Sequence, residues 1–413
     1  MLKQVEGSHA VAEAVALCRP GVVCAYPITP QTHIVEGLGE LVKSGELQHC
    51  EYINVESEFA AMSVSIGSCA SGVRTYTATA SQGLLFMTEA LYNASGLGLP
   101  IVMTLGNRAI GAPINIWNDQ SDAMSMRDCG WLMLFAENNQ EACDLHVQAF
   151  KIAEDLSVPV MVCVDGFILT HAVERVDVPT QEQVDKFLPP FVPAYTMDVK
   201  HPVTVGPMVG PEAFTELRYL EHVKHFRALD VIEQTAAEFK TQFGREAGGL
   251  VRTYKTEDAA TIVVAMGSVI GTIKDVVDEK RAASEKIGVM SICSFRPFPE
   301  KAVREALQHA KHIVVIEKNL ALGQGGVLAG HIRLALQDKV PVTTVVAGLG
   351  GRAIAKRSLS EFLTNMKTAE KGEMHFLDIR QDVVDRELEK IETDRMERHG
   401  HAKPQKKVAG GRK

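Results

Sequence analysis

Five short stretches carry residues suited to chemistry: Tyr26-Pro27-Ile28-Thr29-Pro30, Glu56-Ser57-Glu58, Ser81-Gln82-Gly83, Gly106-Asn107-Arg108-Ala109, and Asp119 with Asp122. Thr29 stands where a helix N-cap belongs, with Pro30 at the first helical position. A hydroxyl there sits beside free N–H groups and a partial positive charge, which suits a small carboxylate or phosphate. Arg108 offers a planar fork that fits two carboxylate oxygens. Glu58 leads into the mostly apolar Phe59-Ala60-Ala61-Met62, surroundings that desolvate a carboxyl and suit it to proton sharing. Each position also has a plainer explanation. Thr29, Asp119 and Asp122 fit helix capping, Arg108 fits a surface arginine after a strand, and Glu58, like Glu56, fits a first-turn glutamate favoured by the helix dipole.

What joins these positions is where the surrounding elements leave them. Val22-Val23-Cys24 reads as an apolar strand, and Gln31 to Val42 as a helix with apolar residues at Ile34, Val35, Leu38, Leu41 and Val42. Strands are also expected at Glu51–Val55, Arg74–Thr79, Pro100–Leu105, Trp131–Phe135 and Val158–Val164. Helices are expected at Ala10–Cys18, Leu84–Ala94 and Gln140–Glu154. Strands alternating with helices, mostly as continuous apolar runs, predict a parallel sheet covered on both faces. Such sheets bind ligands beyond the carboxyl ends of their strands, and Thr29, Glu58, Ser81-Gln82 and Arg108 all fall there.

From about residue 176 to 210 seven prolines, from Pro179 to Pro211 just beyond, interrupt the pattern, predicting an extended connection that wraps a surface or a partner. A helical stretch, Glu212–Phe243, follows, with His222, His225 and Arg227 read as solvated or interface residues. A second α/β unit then starts near Asp258. Its strands are expected at Thr261–Ala265, Gly288–Cys293, His312–Ile316 and Val342–Val346. Its helices are expected at Ile270–Arg281, Pro299–His309, Gly326–Leu336 and Leu359–Met366. The glycine turns Met266–Thr272 and Leu322–Gly326 look like anion cradles, but they lack the ending of a phosphate loop and the spacing of a dinucleotide fingerprint, and tight helix–strand packing also explains them. A charged helix, Gln381–Arg398, leads to a basic tail, Lys403–Lys413.

Composition narrows the function. The 413 residues carry a net charge of -8, which argues against a general nucleic-acid binder. Eight cysteines are scattered with no C-x-x-C pair, as expected for buried thiols of a reducing compartment and not for an iron–sulfur cluster held by this chain alone. No apolar run approaches the roughly 20 residues of a membrane helix, and the N-terminus has no signal-like apolar region. The expected location is the cytoplasm, with no membrane partner.

The ordered motifs Tyr26-Pro27-Ile28-Thr29-Pro30, Glu56-Ser57-Glu58, Thr79-Ala80-Ser81-Gln82-Gly83, Asn107-Arg108-Ala109 and Asn115 through Asp122 resemble the α subunit of the pyruvate (2-oxoacid):ferredoxin oxidoreductase family. Asp165-Gly166-Phe167-Ile168-Leu169-Thr170-His171 and Ser294-Phe295-Arg296-Pro297-Phe298-Pro299 extend the resemblance, which covers roughly residues 5 to 370.

The resemblance implies an α/β fold: a pyrimidine-type, thiamine-diphosphate-binding, doubly wound parallel sheet domain (1–172), an extended Pro-rich connection and helical segment (173–257), a transketolase C-terminal-like α/β domain (258–370), and a helical extension with a basic tail (371–413). It implies that Glu58 is the catalytic glutamate against N1′ of the aminopyrimidine. Thr29 and Arg108 then hold the substrate carboxylate, and Ser81, Gln82 and Gly83 lie near the cofactor ring. Asp119 and Asp122 would order the Arg108 loop. No metal ligand is expected on this chain.

A β subunit would bring the diphosphate half with Mg²⁺ and a [4Fe-4S] cluster. A γ subunit and a ferredoxin-like δ subunit complete the assembly, and coenzyme A is the acyl acceptor. The implied reaction is oxidative decarboxylation of pyruvate or a related 2-oxoacid to acyl-CoA and CO₂. Ile114, Ile116, Trp117 and Met124 lie near the Arg108 loop as candidate side-chain pocket residues. Rival readings are the same chemistry on an aryl or branched-chain 2-oxoacid, a transketolase-like half, and a non-catalytic scaffold.

Overall fold

The computed structural model describes residues 2–194, 196, 199–366 and 374–398. Apolar strand runs and helices build two sheets. The first has seven strands in the order Ser294–Arg296, Leu132–Phe135, Val160–Asp165, Val102–Asn107, Thr75–Thr79, Val22–Ala25 and Glu51–Asn54. All pair in parallel except Ser294–Arg296, which runs antiparallel beside Leu132–Phe135. The four-residue run Val22–Ala25 is buried at every position, as a sheet covered on both faces requires.

The second sheet has six strands in the order Met374–Phe376, Val342–Val346, His312–Glu317, Thr261–Ala265, Ile287–Ile292 and Val251–Tyr254. Its last strand is antiparallel to Ile287–Ile292. The apolar core is continuous between the sheets. Met133, Phe135 and Cys163 of the first and Met290, Ile292, Ile313 and Val315 of the second belong to one buried cluster with Phe295.

Several elements differ from the sequence reading. Leu2–Glu6 forms a strand paired antiparallel with Val173–Asp177, in place of the expected start of an extended connection. Within the Pro-rich stretch Thr180 caps a helix, Gln181–Phe187, with a reciprocal side-chain box to Gln183. The helix expected at Leu84–Ala94 is two, Ser81–Phe86 and Thr88–Gly96, meeting at Met87. Ser294–Arg296 leaves the second α/β unit and joins the first sheet. Both sheets therefore carry one antiparallel edge that their apolar parallel strands do not announce. The long helix runs Phe214–Phe243, and His225 on it packs back onto the first sheet's side of the chain, bonding the Gly130 carbonyl at 3.1 Å. The helix Gln381–Arg398 is present, and the basic tail Lys403–Lys413 lies outside the described residues. No helix among the described residues is long and apolar enough to cross a membrane.

Candidate active site

Strands running in parallel deliver their following residues to one edge. The first sheet thus brings Thr29, Glu58, Ser81 and Arg108 together from four strands: Val22–Ala25, Glu51–Asn54, Thr75–Thr79 and Val102–Asn107.

Glu58 opens the helix Glu58–Ala70. Ser57, in extended conformation, caps it by accepting the Ala60 N–H at 3.2 Å. The cap separates the two glutamates. Glu56 precedes it and is exposed, whereas Glu58 is 8% exposed. The enclosure differs from the expected one, because Phe59 points outward and is 39% exposed. What closes on Glu58 is Gly83. A Cβ on Gly83 would fall 2.6 Å from Glu58 Oε1 and 2.5 Å from Thr79 Oγ1. No hydrogen bond or ion pair from the described residues reaches the Glu58 carboxylate, and the buried Thr79 hydroxyl has no partner. A buried acid and a buried hydroxyl without partners among the described residues suit a polar ligand.

Arg108 follows the buried strand Val102–Asn107 and is 6% exposed. Its Nη1 donates to the Thr29 carbonyl at 2.9 Å and its Nε to the Asn115 carbonyl at 3.2 Å. No carboxylate among the described residues pairs with the guanidinium. Burial pulls this group below its ordinary range, and the Asp122 charge opposes that pull. A buried guanidinium left with carbonyls and no counter-ion among the described residues has the chemistry to take up an anion.

Thr29 is not an N-cap. Gln31 N–H closes a turn onto the Ile28 carbonyl at 2.9 Å, and the helix begins at Thr32 with Gln31 in the cap position and no side-chain cap bond. The turn takes up the residues the cap would have used. Thr29 reaches Arg108 through its carbonyl oxygen.

Asp122 orders the site, as does Asp119 to a lesser extent. Asp122 is fully buried. Its Oδ2 accepts the Ser81 and Arg108 N–H groups, each at 3.0 Å, and its Oδ1 accepts Asn107 Nδ2 at 2.9 Å and the Ala123 N–H at 2.8 Å. Burial raises its carboxyl to about 7 against the pull of these donors. Ser81 sits at φ 47°, in the left-handed region, and its hydroxyl bonds the Ala109 carbonyl. Gln82 lies over the Arg108 loop, where a Cβ on Gly111 would meet its Nε2 at 2.5 Å. Of the candidate pocket residues, Ile114 is 79% exposed and Trp117 faces Phe167 with ring centroids 4.6 Å apart, while Met124 is core.

Sequence reasoning misses the polar junction behind the site. Asp165 ends its strand fully buried and accepts from Lys318 Nζ at 2.8 Å and from the Ser268 N–H at 2.9 Å. Burial pushes this carboxyl up, but Lys318 and Ser268 outweigh it and hold the group below its usual range. Lys318 follows the strand His312–Glu317, and a charged residue directly after an apolar strand is the one available signal. Among the described residues no group of His, Cys, Asp and Glu could hold a metal ion. The eight cysteines are all free thiols.

Comparison with known proteins gives two family matches. Residues 13–237 match "Pyruvate flavodoxin/ferredoxin oxidoreductase, thiamine diP-bdg", and residues 259–359 match "Pyruvate:ferredoxin oxidoreductase core domain II". Pyruvate synthase subunit PorA of Methanosarcina barkeri is 48% identical over 390 residues, covering 92% of this chain and 97% of that protein. Ketoisovalerate oxidoreductase subunit VorA of Pyrococcus horikoshii is 40% identical over 377 residues, covering 90% and 95%. A solved structure of 2-oxoglutarate:ferredoxin oxidoreductase from Magnetococcus marinus, with 2-oxoglutarate, coenzyme A and succinyl-CoA bound, has the same fold at a TM-score of 0.70 and 20% identity. That match covers 88% of this chain and 65% of the other, so this chain spans less than two thirds of it.

Proposed function

Since this chain belongs to the pyruvate flavodoxin/ferredoxin oxidoreductase family, we propose that it is the thiamine-diphosphate-binding catalytic subunit of a 2-oxoacid:ferredoxin oxidoreductase that forms acyl-CoA and CO₂, with pyruvate as substrate. The observation that carries the reading is a pair of largely buried groups at one sheet edge, Glu58 and Arg108, neither of which has a charged partner among the described residues. A scaffold that had lost its chemistry has no reason to keep either group buried without a counter-ion.

Thiamine diphosphate, when bound, supplies the electron sink for decarboxylation of a 2-oxoacid. The chain's own residues do the rest on its side of the site. Glu58 holds a proton against N1′ of the aminopyrimidine, its side chain seated in the space that the missing Gly83 side chain leaves. Arg108 binds the oxoacid carboxylate, oriented by the carbonyls of Thr29 and Asn115, with Thr29 at its side. The Ser81-Gln82-Gly83 corner lines the ring site, anchored by Asp122.

The remaining parts belong to other subunits: a β subunit with the diphosphate half, Mg²⁺ and a [4Fe-4S] cluster, a γ subunit, and a ferredoxin-like δ subunit that takes the electrons on. The exposed apolar rim of Phe59, Phe86, Ile114, Trp117 and Ile168 around the site supports a partner seated over it. Free thiols throughout support a reducing, cytoplasmic setting. A branched-chain 2-oxoacid is the second reading, supported by the 40% identity to a ketoisovalerate oxidoreductase subunit against 48% to a pyruvate synthase subunit.

The test is anaerobic viologen reduction by the purified complex with coenzyme A and a panel of 2-oxoacids. Reduction with pyruvate ahead of 2-oxoisovalerate supports the first reading, and the reverse order the second. No reduction with any oxoacid by a complex that contains thiamine and iron would overturn both.

A further inference from the structure

The second α/β unit takes no part in the chemistry proposed above, yet one of its turns grips the substrate-binding loop. After the strand Val342–Val346 the chain enters Gly348-Leu349-Gly350-Gly351, with Gly350 at φ 58° and Gly351 at φ 81°. Asn115 Nδ2 donates to the Gly350 carbonyl at 3.0 Å, and the Gly350 N–H donates to Asp119 Oδ2 at 3.1 Å. One residue of the turn is thus held from both sides by the loop that follows Arg108. The approach is too close for side chains. A Cβ on Gly350 would lie 2.4 Å from Asn115 Nδ2, and one on Gly351 2.4 Å from Trp117 Cβ.

Asn115 passes this hold inward. Its Oδ1 accepts the Trp117 N–H at 2.7 Å, which fixes the loop's course, and its carbonyl accepts Arg108 Nε at 3.2 Å. A continuous run of hydrogen bonds therefore links Gly350, Asn115, Arg108 and Thr29. A neighbouring bond, Gln120 N–H to the Lys318 carbonyl at 2.7 Å, keeps the end of the loop on the same sheet.

We propose that Asn115 and the Gly350 turn are positioning residues for the substrate: the turn fixes Asn115, and the Asn115 carbonyl aims the Arg108 guanidinium at the oxoacid carboxylate. The inference rests on the reading of Arg108 as the carboxylate receptor. Under it, the second unit sets affinity for the oxoacid from outside the site, and Ile114 and Ile116, which flank Asn115, move with the same clamp.

The experiment uses the assembled complex with pyruvate, measuring kcat and KM for pyruvate and for coenzyme A in Asn115→Asp, Gly350→Ala and the double variant, with Arg108→Ala alongside. Asn115→Asp keeps volume and the Trp117 contact but puts an oxygen where the donor to Gly350 stood. Each single variant is expected to raise KM for pyruvate about tenfold, with kcat within about twofold and KM for coenzyme A unchanged. The double variant should be no worse than the more affected single, because both remove one bond. Unchanged KM for pyruvate in Asn115→Asp, or strictly additive effects in the double, overturns the proposal. Should Gly350→Ala fail to assemble, Asn115→Asp alone decides. Arg108→Ala separates the two failures. If it raises KM while the Asn115 variant does not, only the clamp is wrong; if it leaves KM unchanged, the carboxylate reading falls and the clamp with it.

Discussion

The backbone N–H groups of Ser81 and Arg108, on corners after two neighbouring strands, share a single acceptor, Oδ2 of Asp122, at 3.0 Å each. The Ser81 corner and the Arg108 corner are therefore set by one carboxylate. Its other oxygen is also occupied, by Asn107 and Ala123. Asp122→Asn would turn an NH₂ against N–H donors whichever way the amide faced. The expected cost is about 1–3 kcal/mol of stability, with a raised KM for the oxoacid.

Asp122 also predicts a pH dependence of stability. Burial lifts its folded value to about 7, above the 3.8 of an unhindered carboxyl. The folded state keeps this proton where the unfolded chain has lost it. That contribution is complete below about pH 4 and is lost as pH rises through about 7. Thermal unfolding of wild type and Asp122→Asn at pH 5 and pH 8 checks it. The drop in midpoint between the two pH values should be smaller in the variant, and an equal or larger drop would rule the assignment out.

Glu58→Gln should lower kcat by about 10²–10⁴-fold while the complex still assembles, because the amide keeps the shape and cannot share the proton. Turnover and subunit stoichiometry, measured on one preparation, separate loss of chemistry from loss of structure. Wild-type turnover would remove Glu58 from its role.

Gly83→Ala tests the wall of the ring site. The added methyl would meet Glu58 Oε1 and Thr79 Oγ1 at 2.6 and 2.5 Å. Purified Gly83→Ala complex should therefore contain less than about a tenth of the wild-type thiamine. Full thiamine content would show that the ring lies elsewhere.

Lys318→Met tests the junction behind the site. It leaves the Asp165 carboxylate buried without its ion partner. The expected loss is about 3–5 kcal/mol, read as a lower unfolding midpoint. The double change Asp165→Asn with Lys318→Met should recover part of it, since no charge is then stranded.

Local chemistry makes part of this molecule legible in its sequence. Thr261–Ala265 and Val342–Val346 are short runs rich in β-branched residues, and the strands match them end to end. The four corners of the site are visible because each polar residue lies at or just past the end of a strand that the sequence shows. Leu2–Glu6 is hidden because its partner, Val173–Asp177, lies far along the chain and neither strand shows the two-residue alternation of a half-buried strand. Thr29 misleads because its cap signal competes with a turn closed by Gln31. Phe59 misleads because sequence cannot say which side of a first helical turn faces inward. The clamp at Gly350 leaves no trace, since two glycines and a carbonyl carry no signal of the asparagine they meet.

Ser294–Arg296 completes the seven-stranded sheet from within the chain's second half. During synthesis, the first sheet therefore waits with an unpaired edge at Leu132–Phe135 until residue 296 has left the ribosome. A truncation that ends before residue 294 would keep that edge open and invite strand addition from a neighbouring molecule. The two halves, separate by sequence pattern, thus share one sheet edge and one apolar core.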